Sequence, residues 1–266
     1  MRFHNRNFSY SKPLYASKTK NMKKIILTLL TLLFITNIFS QTEFNELNEY
    51  LKNIENVSQL KDLKYKKFNS FSVLDVIIET DRKVDFGFNH NRILIIPSPG
   101  EDLKINIISK NDSIIFGNLA VINMRNHKIR DSKNFKESDL FLKKYIKDHN
   151  EFYKTDLNSK EFTEQLLGEY VVGFSCGEVG LDIPKESKKI NSLINNNATN
   201  ILRKLLRSFS PELQSLGTIG LTKLNTESEK DKIIIEYLKK RNTMINSCLG
   251  CIYGFIQNFE QSVKFE

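Results

Sequence analysis

An α+β fold is predicted by three features of this chain. Apolar, β-branched runs are split by a turn dipeptide, a long stretch of helical periodicity follows them, and serine and proline stand where helices begin. The sheet is expected to be small, mainly antiparallel and confined to the N-terminal half, with a helical C-terminal half. The 266 residues divide into an upstream extension expected to be disordered (1–21), a signal peptide (22–40), an α+β region (41–135) and an α-helical region (136–266).

Lys23 and Lys24 precede an apolar run from Ile25 to Phe39 that is diluted by Thr28, Thr31, Thr36 and Asn37. A membrane-spanning helix needs about 18 or more apolar residues. The shorter run therefore reads as an export signal cleaved between Ser40 and Gln41, with an uncleaved anchor as the alternative. No cysteine follows it at which a lipid could be attached. Export places the working protein in the periplasm or outside the cell, with no stable membrane insertion after cleavage. Residues 1–21 are polar and lack any acid, and they read as an extension upstream of Met22.

This assignment changes the charge. The whole chain carries +9, but Arg2, Arg6, Lys12, Lys18, Lys20, Lys23 and Lys24 all precede Gln41 with no acid among them. Removing these seven from 40 leaves 33 basic against 31 acidic residues, a net charge of about +2. A nucleic-acid partner is therefore not expected, because the basicity resides in the segment that is lost.

Phe44, Leu47, Leu51, Ile54 and Val57 are spaced for an amphipathic helix over 43–62, followed by a solvated lysine-rich connection at Lys61–Lys67. Apolar runs at Phe71–Ile78, Arg92–Ile96, Leu103–Ile108 and Ile114–Met124 predict three or four strands. Asn111-Asp112 separates the last two and signals a hairpin, since both residues tolerate positive φ. From Ser138 the pattern turns helical. Phe162, Leu166, Tyr170 and Phe174 share one helical spacing, with Gly177 as its stop. Further helices are expected at Pro184–Ile194, Ala198–Ser208, Pro211–Leu224 and Ser228–Lys240, with Ser210 capping the one that Pro211 opens.

Within this region Ile201–Leu224 resembles a HEAT- or armadillo-like helical repeat. One helix ends in Leu205-Leu206-Arg207-Ser208, a turn carries Pro211, and a second helix presents Leu213, Leu216, Ile219 and Leu224. Gly217 and Gly220 would let a neighbouring helix approach closely. The resemblance covers about one unit, whereas a solenoid stacks at least three. It implies a helical hairpin and an interaction surface.

Two motifs bear on chemistry. Gly173-Phe-Ser-Cys-Gly177 matches the G-x-S-x-G nucleophile elbow, which places its serine between a strand and a helix and its histidine downstream. Helical spacing precedes Ser175 and no histidine follows His149, so the match carries no hydrolase triad. Cys248-Leu-Gly-Cys251 has the spacing of a thiol-disulfide site, but it lies near the C-terminus with no proline after Pro211, unlike a thioredoxin-like domain. Cys176, Cys248 and Cys251 could otherwise join one of His90, His127 or His149 in a zinc site. The third reading is a disulfide among the three cysteines with its pairing open, the bond being favoured by an oxidising compartment. Polar neighbours place each of the three histidines on an exposed loop or helix end.

No spacing singles out a catalytic, cofactor-binding or metal-binding set, and no cofactor is expected. The sequence therefore reads as an exported, non-catalytic binding protein with a macromolecular, expectedly protein, partner. The alternative is a thiol-disulfide redox protein or a structural-zinc protein using Cys248 and Cys251. A small-ligand site in the β part is a further class for which no motif speaks.

Overall fold

The computed structural model describes residues 42–123, 128–174, 176, 182–250 and 252–264. The signal at 22–40, its cleavage site at Ser40 and Gln41, and the extension at 1–21 lie outside these residues, as do His127, Ser175, Gly177 and Cys251. Among the described residues no helix is long and apolar enough to cross a membrane.

The α+β expectation holds. Helix α1 (42–51) buries Phe44, Leu47 and Leu51. It is shorter than its apolar spacing predicts. Asn53 N and Ile54 N reach back only three residues, to Tyr50 O and Leu51 O, so the helix tightens and stops. The chain re-enters a 3₁₀ helix at Val57–Tyr65, where Gln59 reaches back to Asn56, and most of the lysine-rich connection, Lys61 to Tyr65, is thereby helical.

Five strands follow as an antiparallel meander in the order β1-β2-β3-β4-β5: β1 (Ser72–Lys83), β2 (Asn89–Ser98), β3 (Leu103–Lys110), β4 (Ser113–Asn123) and β5 (Lys128–Glu137). The hairpin at Asn111-Asp112 forms with φ of 50° and 71°, the two left-handed residues that a two-residue turn requires. Strand β5 lies outside the apolar runs that predict strands. Its sequence is almost wholly polar, and most of its residues are exposed on the sheet edge.

Alternation along the strands produces two different faces. Ile93, Ile95, Leu103, Ile105, Ile107, Leu119 and Val121 form one core with α1 and the 3₁₀ helix. On the opposite face, cross-strand pairing aligns Thr80, Arg92, Asn106, Asn118 and Asn134 in a polar row that spans all five strands. Beside this row Val84, Phe88, Ile108 and Phe116 pack on α2 (Asp139–Tyr153) and α3 (Ser159–Leu167) through Leu142, Tyr145, Phe162 and Leu166.

The remaining helices are α4 (Lys185–Asn195), α5 (Thr199–Leu206), α6 (Pro211–Leu224) and α7 (Glu229–Arg241), close to their predicted bounds. Ser210 caps α6 by accepting from Leu213 N. Gly217 and Gly220 are needed for α5 to approach: a Cβ on Gly217 would lie 2.2 Å from Leu206 N, and one on Gly220 2.4 Å from Leu202 Cδ2. The C-terminal half is not helical throughout. Strands β6 (Met244–Leu249) and β7 (Ile252–Asn258) form a separate antiparallel hairpin before the short α8 (Phe259–Val263). Helix α3 also ends earlier than its spacing suggested. Gly168 caps it, and the chain beyond lies along the β6–β7 hairpin, with Val172 bridging Ser247 and Cys176 bridging Gly250 in parallel.

One ion network in this helical part makes a pH prediction. Buried Asp231, in the first turn of α7, accepts from Arg203 Nε (2.8 Å), Arg207 Nη2 (3.0 Å) and the backbone and hydroxyl of Ser228. Burial alone would raise its pKa, but these donors outweigh that penalty and lower it to about 2. As pH falls, the unfolded chain takes up the proton first. Stability fully present above about pH 4 to 5 is therefore lost towards pH 2. Because both arginines are partly exposed, we expect a loss of about 1–2 kcal/mol through this group. Between pH 5 and pH 2.5, urea unfolding should show the wild type losing about 1–2 kcal/mol more stability than Asp231→Asn.

Candidate functional site

Two polar networks join the sheet to the helical half, and their accessibility separates their roles. The deeper one centres on Asp85, in the turn between β1 and β2. Phe86 there takes φ 59° and Gly87 φ 77°, which turns the Asp85 carboxylate inward. Asp85 is fully buried and accepts from Tyr153 Oη (3.0 Å) and from Arg241 Nη1, with His149 Nδ1 at 3.4 Å. Desolvation opposes its charge, but Arg241 and His149 overcome it and hold the carboxyl below the usual range. Arg241 extends the network to Gln214 Oε1 (2.8 Å) and Thr243 Oγ1, and Thr243 donates to Lys83 O. With Asp85, His149, Tyr153, Gln214 and Thr243 all fully buried, this cluster welds the sheet to α2, α6 and α7.

The second network opens onto a groove. Arg82 on β1 forms a two-pronged pair with Glu212 in the first turn of α6, its Nη2–Oε2 contact being 3.2 Å. Glu212 also accepts from Ser210 Oγ (3.0 Å) and from Asn246 N on β6 (3.1 Å). His90 lies between Arg82 Nη2 and Asn106 Oδ1, each at 3.4 Å. Burial, then Arg82 and Arg92, push its pKa well below the ordinary value, so the ring is neutral and accepts from Arg82. The expectation that His90 and His149 lie on exposed segments is overturned, since they are 2% and 0% exposed. Strand alternation sends His90 inward although Asn89 and Asn91 flank it.

Arg92 follows on the same strand face and is 7% exposed. Its Nε donates to Asn106 Oδ1 (3.0 Å), and its Nη2 donates to Leu166 O (2.8 Å) and Gly168 O (3.1 Å), the free carbonyls at the end of α3. One register step along, buried Lys104 binds Glu79 (2.9 Å) and Glu169. These residues form the floor of a groove of about 810 Å³. Its walls are Glu79 and Thr80 of β1, Glu169 and Val171, the start of α4 from Asp182 to Lys188, and Asn246, Gly254 and Ile256 of the β6–β7 hairpin.

The groove mixes apolar wall with charge. Lys188 pairs with Asp182 (3.1 Å) and Lys185 with Glu186 (3.6 Å), so every lysine lining it has a carboxylate partner. Arg92 has no carboxylate within ion-pair distance among the described residues. Burial is the main cause that lowers its pKa, Arg82 adds to it, and Glu212, Glu169 and Glu79 act against it.

The cysteines hold the groove's outer wall. Cys176 and Cys248 form a disulfide across 72 residues, which ties the extended segment after α3 to the hairpin. Gly173 is needed for this approach: a Cβ there would lie 2.7 Å from Cys176 Sγ and 2.8 Å from Cys248 O. The first glycine of the G-x-S-x-G match thus serves the bridge. A sulfur in a disulfide is not a thiolate and cannot ligate a metal as one. Among the described residues, no group of three or more His, Cys, Asp or Glu could hold a metal ion.

One signal for the groove lies in the sequence of β3. Leu103-Lys-Ile-Asn-Ile107 alternates polar and apolar residues, which ordinarily marks a solvent face; here Lys104 and Asn106 are 4% and 1% exposed. Comparison with protein-family models, with curated proteins and with solved structures gave no match in any of the three.

Proposed function

We propose that this chain is an exported, non-catalytic binding protein whose site is the groove between the sheet and the β6–β7 hairpin. The observation that carries the reading is the convergence there of four separate parts of the chain around a buried arginine that lacks a carboxylate partner. A disulfide is compatible with the oxidising surroundings that export implies. The α5–α6 hairpin, with its resemblance to a single HEAT- or armadillo-like unit, serves in this reading as the rigid backing that presents Glu212 to Arg82. A groove of this size takes a small molecule or the end of a partner's chain. The thiol-exchange reading of Cys248 and Cys251 is weaker, because Cys248 is 3% exposed and already bonded to Cys176.

Native mass spectrometry of protein recovered from the exported fraction tests this. A chain beginning at Gln41 should carry a bound species, and Ile256→Trp, which fills the groove from its partly exposed wall, should lose it. An intact N-terminus, or a bound species kept by Ile256→Trp, would contradict the reading.

A further inference from the structure

We propose that the groove recognises a carboxylate, held by Arg92; this rests on the groove being the binding site. Arg92 spends Nε and Nη2 on the fold, and its Nη1 makes no hydrogen bond among the described residues although the side chain lines the groove. A buried guanidinium without a carboxylate is costly, and a ligand that supplies one relieves that cost. A second feature points the same way. Helix α4 begins at the groove with Pro184 as its N-cap, and among the described residues no side chain caps it. The N–H groups of that first turn and the positive end of the helix dipole favour an anion, and the Glu186 carboxylate in the same turn is paired with Lys185.

The surrounding charges limit that anion to one unit. Lys104 carries two carboxylates, Glu79 and Glu169, which would repel the second charge of a phosphate monoester. Val171, Ile183, Pro184 and Ile256 line the same groove and suit an apolar body attached to the carboxylate. Such a group comes either from a free carboxylic acid or from the C-terminal end of a polypeptide, and both present the same chemistry to Arg92.

Isothermal titration of the exported protein at fixed ionic strength tests the assignment, with hexanoate, hexanamide, and N-acetyl-Val-Ile as free acid and as amide. At least one acid should bind about tenfold or more tightly than its amide, since a charge-assisted pair replaces a neutral one. Tighter binding of hexanoate identifies a small acid as the source, and tighter binding of the peptide acid identifies a chain end. Arg92→Lys keeps the charge but loses the planar fork, so it should weaken the acid by about fivefold or more and leave the amide unchanged. If that variant fails to fold, the acid-to-amide ratio in the wild type decides alone. Equal affinities of acid and amide, both lost in Ile256→Trp, would overturn carboxylate recognition and leave the groove standing. Binding of any probe that Ile256→Trp leaves intact would place it outside the groove and overturn both.

Discussion

Asp85→Asn should lower the unfolding free energy by about 3–5 kcal/mol, because it strands the Arg241 guanidinium, whose side chain is only 5% exposed. The substituted amide would still accept one hydrogen bond, but it would also turn an N–H donor towards Arg241, Tyr153 or His149. Each of those already donates to, or faces, the lost carboxylate. The loss would spread, since Arg241 also fixes Gln214 and Thr243, and Gln214 in turn donates to Tyr153 Oη (3.1 Å) and Ser208 O (2.8 Å). Urea unfolding at pH 7 should show the midpoint fall with little change in slope. Tyr153→Phe removes one neutral donor from the same cluster and should cost about 1–2 kcal/mol. A change below about 1 kcal/mol for Asp85→Asn would mean that the cluster does not join sheet to helices as described.

Removing the Cys176–Cys248 bond should have a comparable effect by a different route. Closing a loop of 72 residues restricts the unfolded chain by about 4 kcal/mol in the entropy model. In Cys176→Ser/Cys248→Ser the stability should fall towards that figure. Hydrogen exchange should rise most at Val172 N and Cys248 N, whose bonds to Asn246 O and Val172 O lie beside the bridge. Non-reducing peptide mapping should recover Cys176 joined to Cys248. Recovery of a Cys248–Cys251 bridge would contradict the assignment, and with it the anchoring of the groove's outer wall.

Local chemistry made part of this fold legible. Asn111-Asp112 marked its hairpin because few residue types accept two positive φ angles in succession. Ser210-Pro211 marked the start of α6 because a serine acceptor and a fixed φ both suit a helix N-terminus. Elements decided by tertiary contact were harder to see. Tyr170 and Phe174 keep the helical spacing of α3, yet Gly168 ends the helix and hydrogen bonds to β6 pull the segment straight. The β6–β7 hairpin was hidden behind its own C-x-x-C spacing. Gly250, at φ 58°, sits at the hairpin's tip beyond the paired Leu249 and Ile252, and Cys248 of that pattern lies within β6.

The candidate site was legible only in outline. All three cysteines were legible as a group, and a bond from Cys176 to Cys248 is one of the three pairings open to them. Arg82, Arg92, Lys104 and Glu212 were not, because nothing local distinguishes a charge that a second layer will bury from one that faces water. The partners that neutralise Arg82 and Lys104 are distant in sequence: Glu212 is 130 residues beyond Arg82, and Glu169 is 65 beyond Lys104. Only the register of five strands and the path of the chain after α3 bring them together.

The most direct test of the groove is an amide chemical-shift map of the protein titrated with hexanoate. Shifts should gather at Thr80, Arg92, Val171, Lys185, Asn246 and Gly254, which meet only in the groove. Shifts gathered instead at the separate hollow lined by Lys143, Ile146 and Lys147 on α2, with those six positions unmoved, would contradict the account.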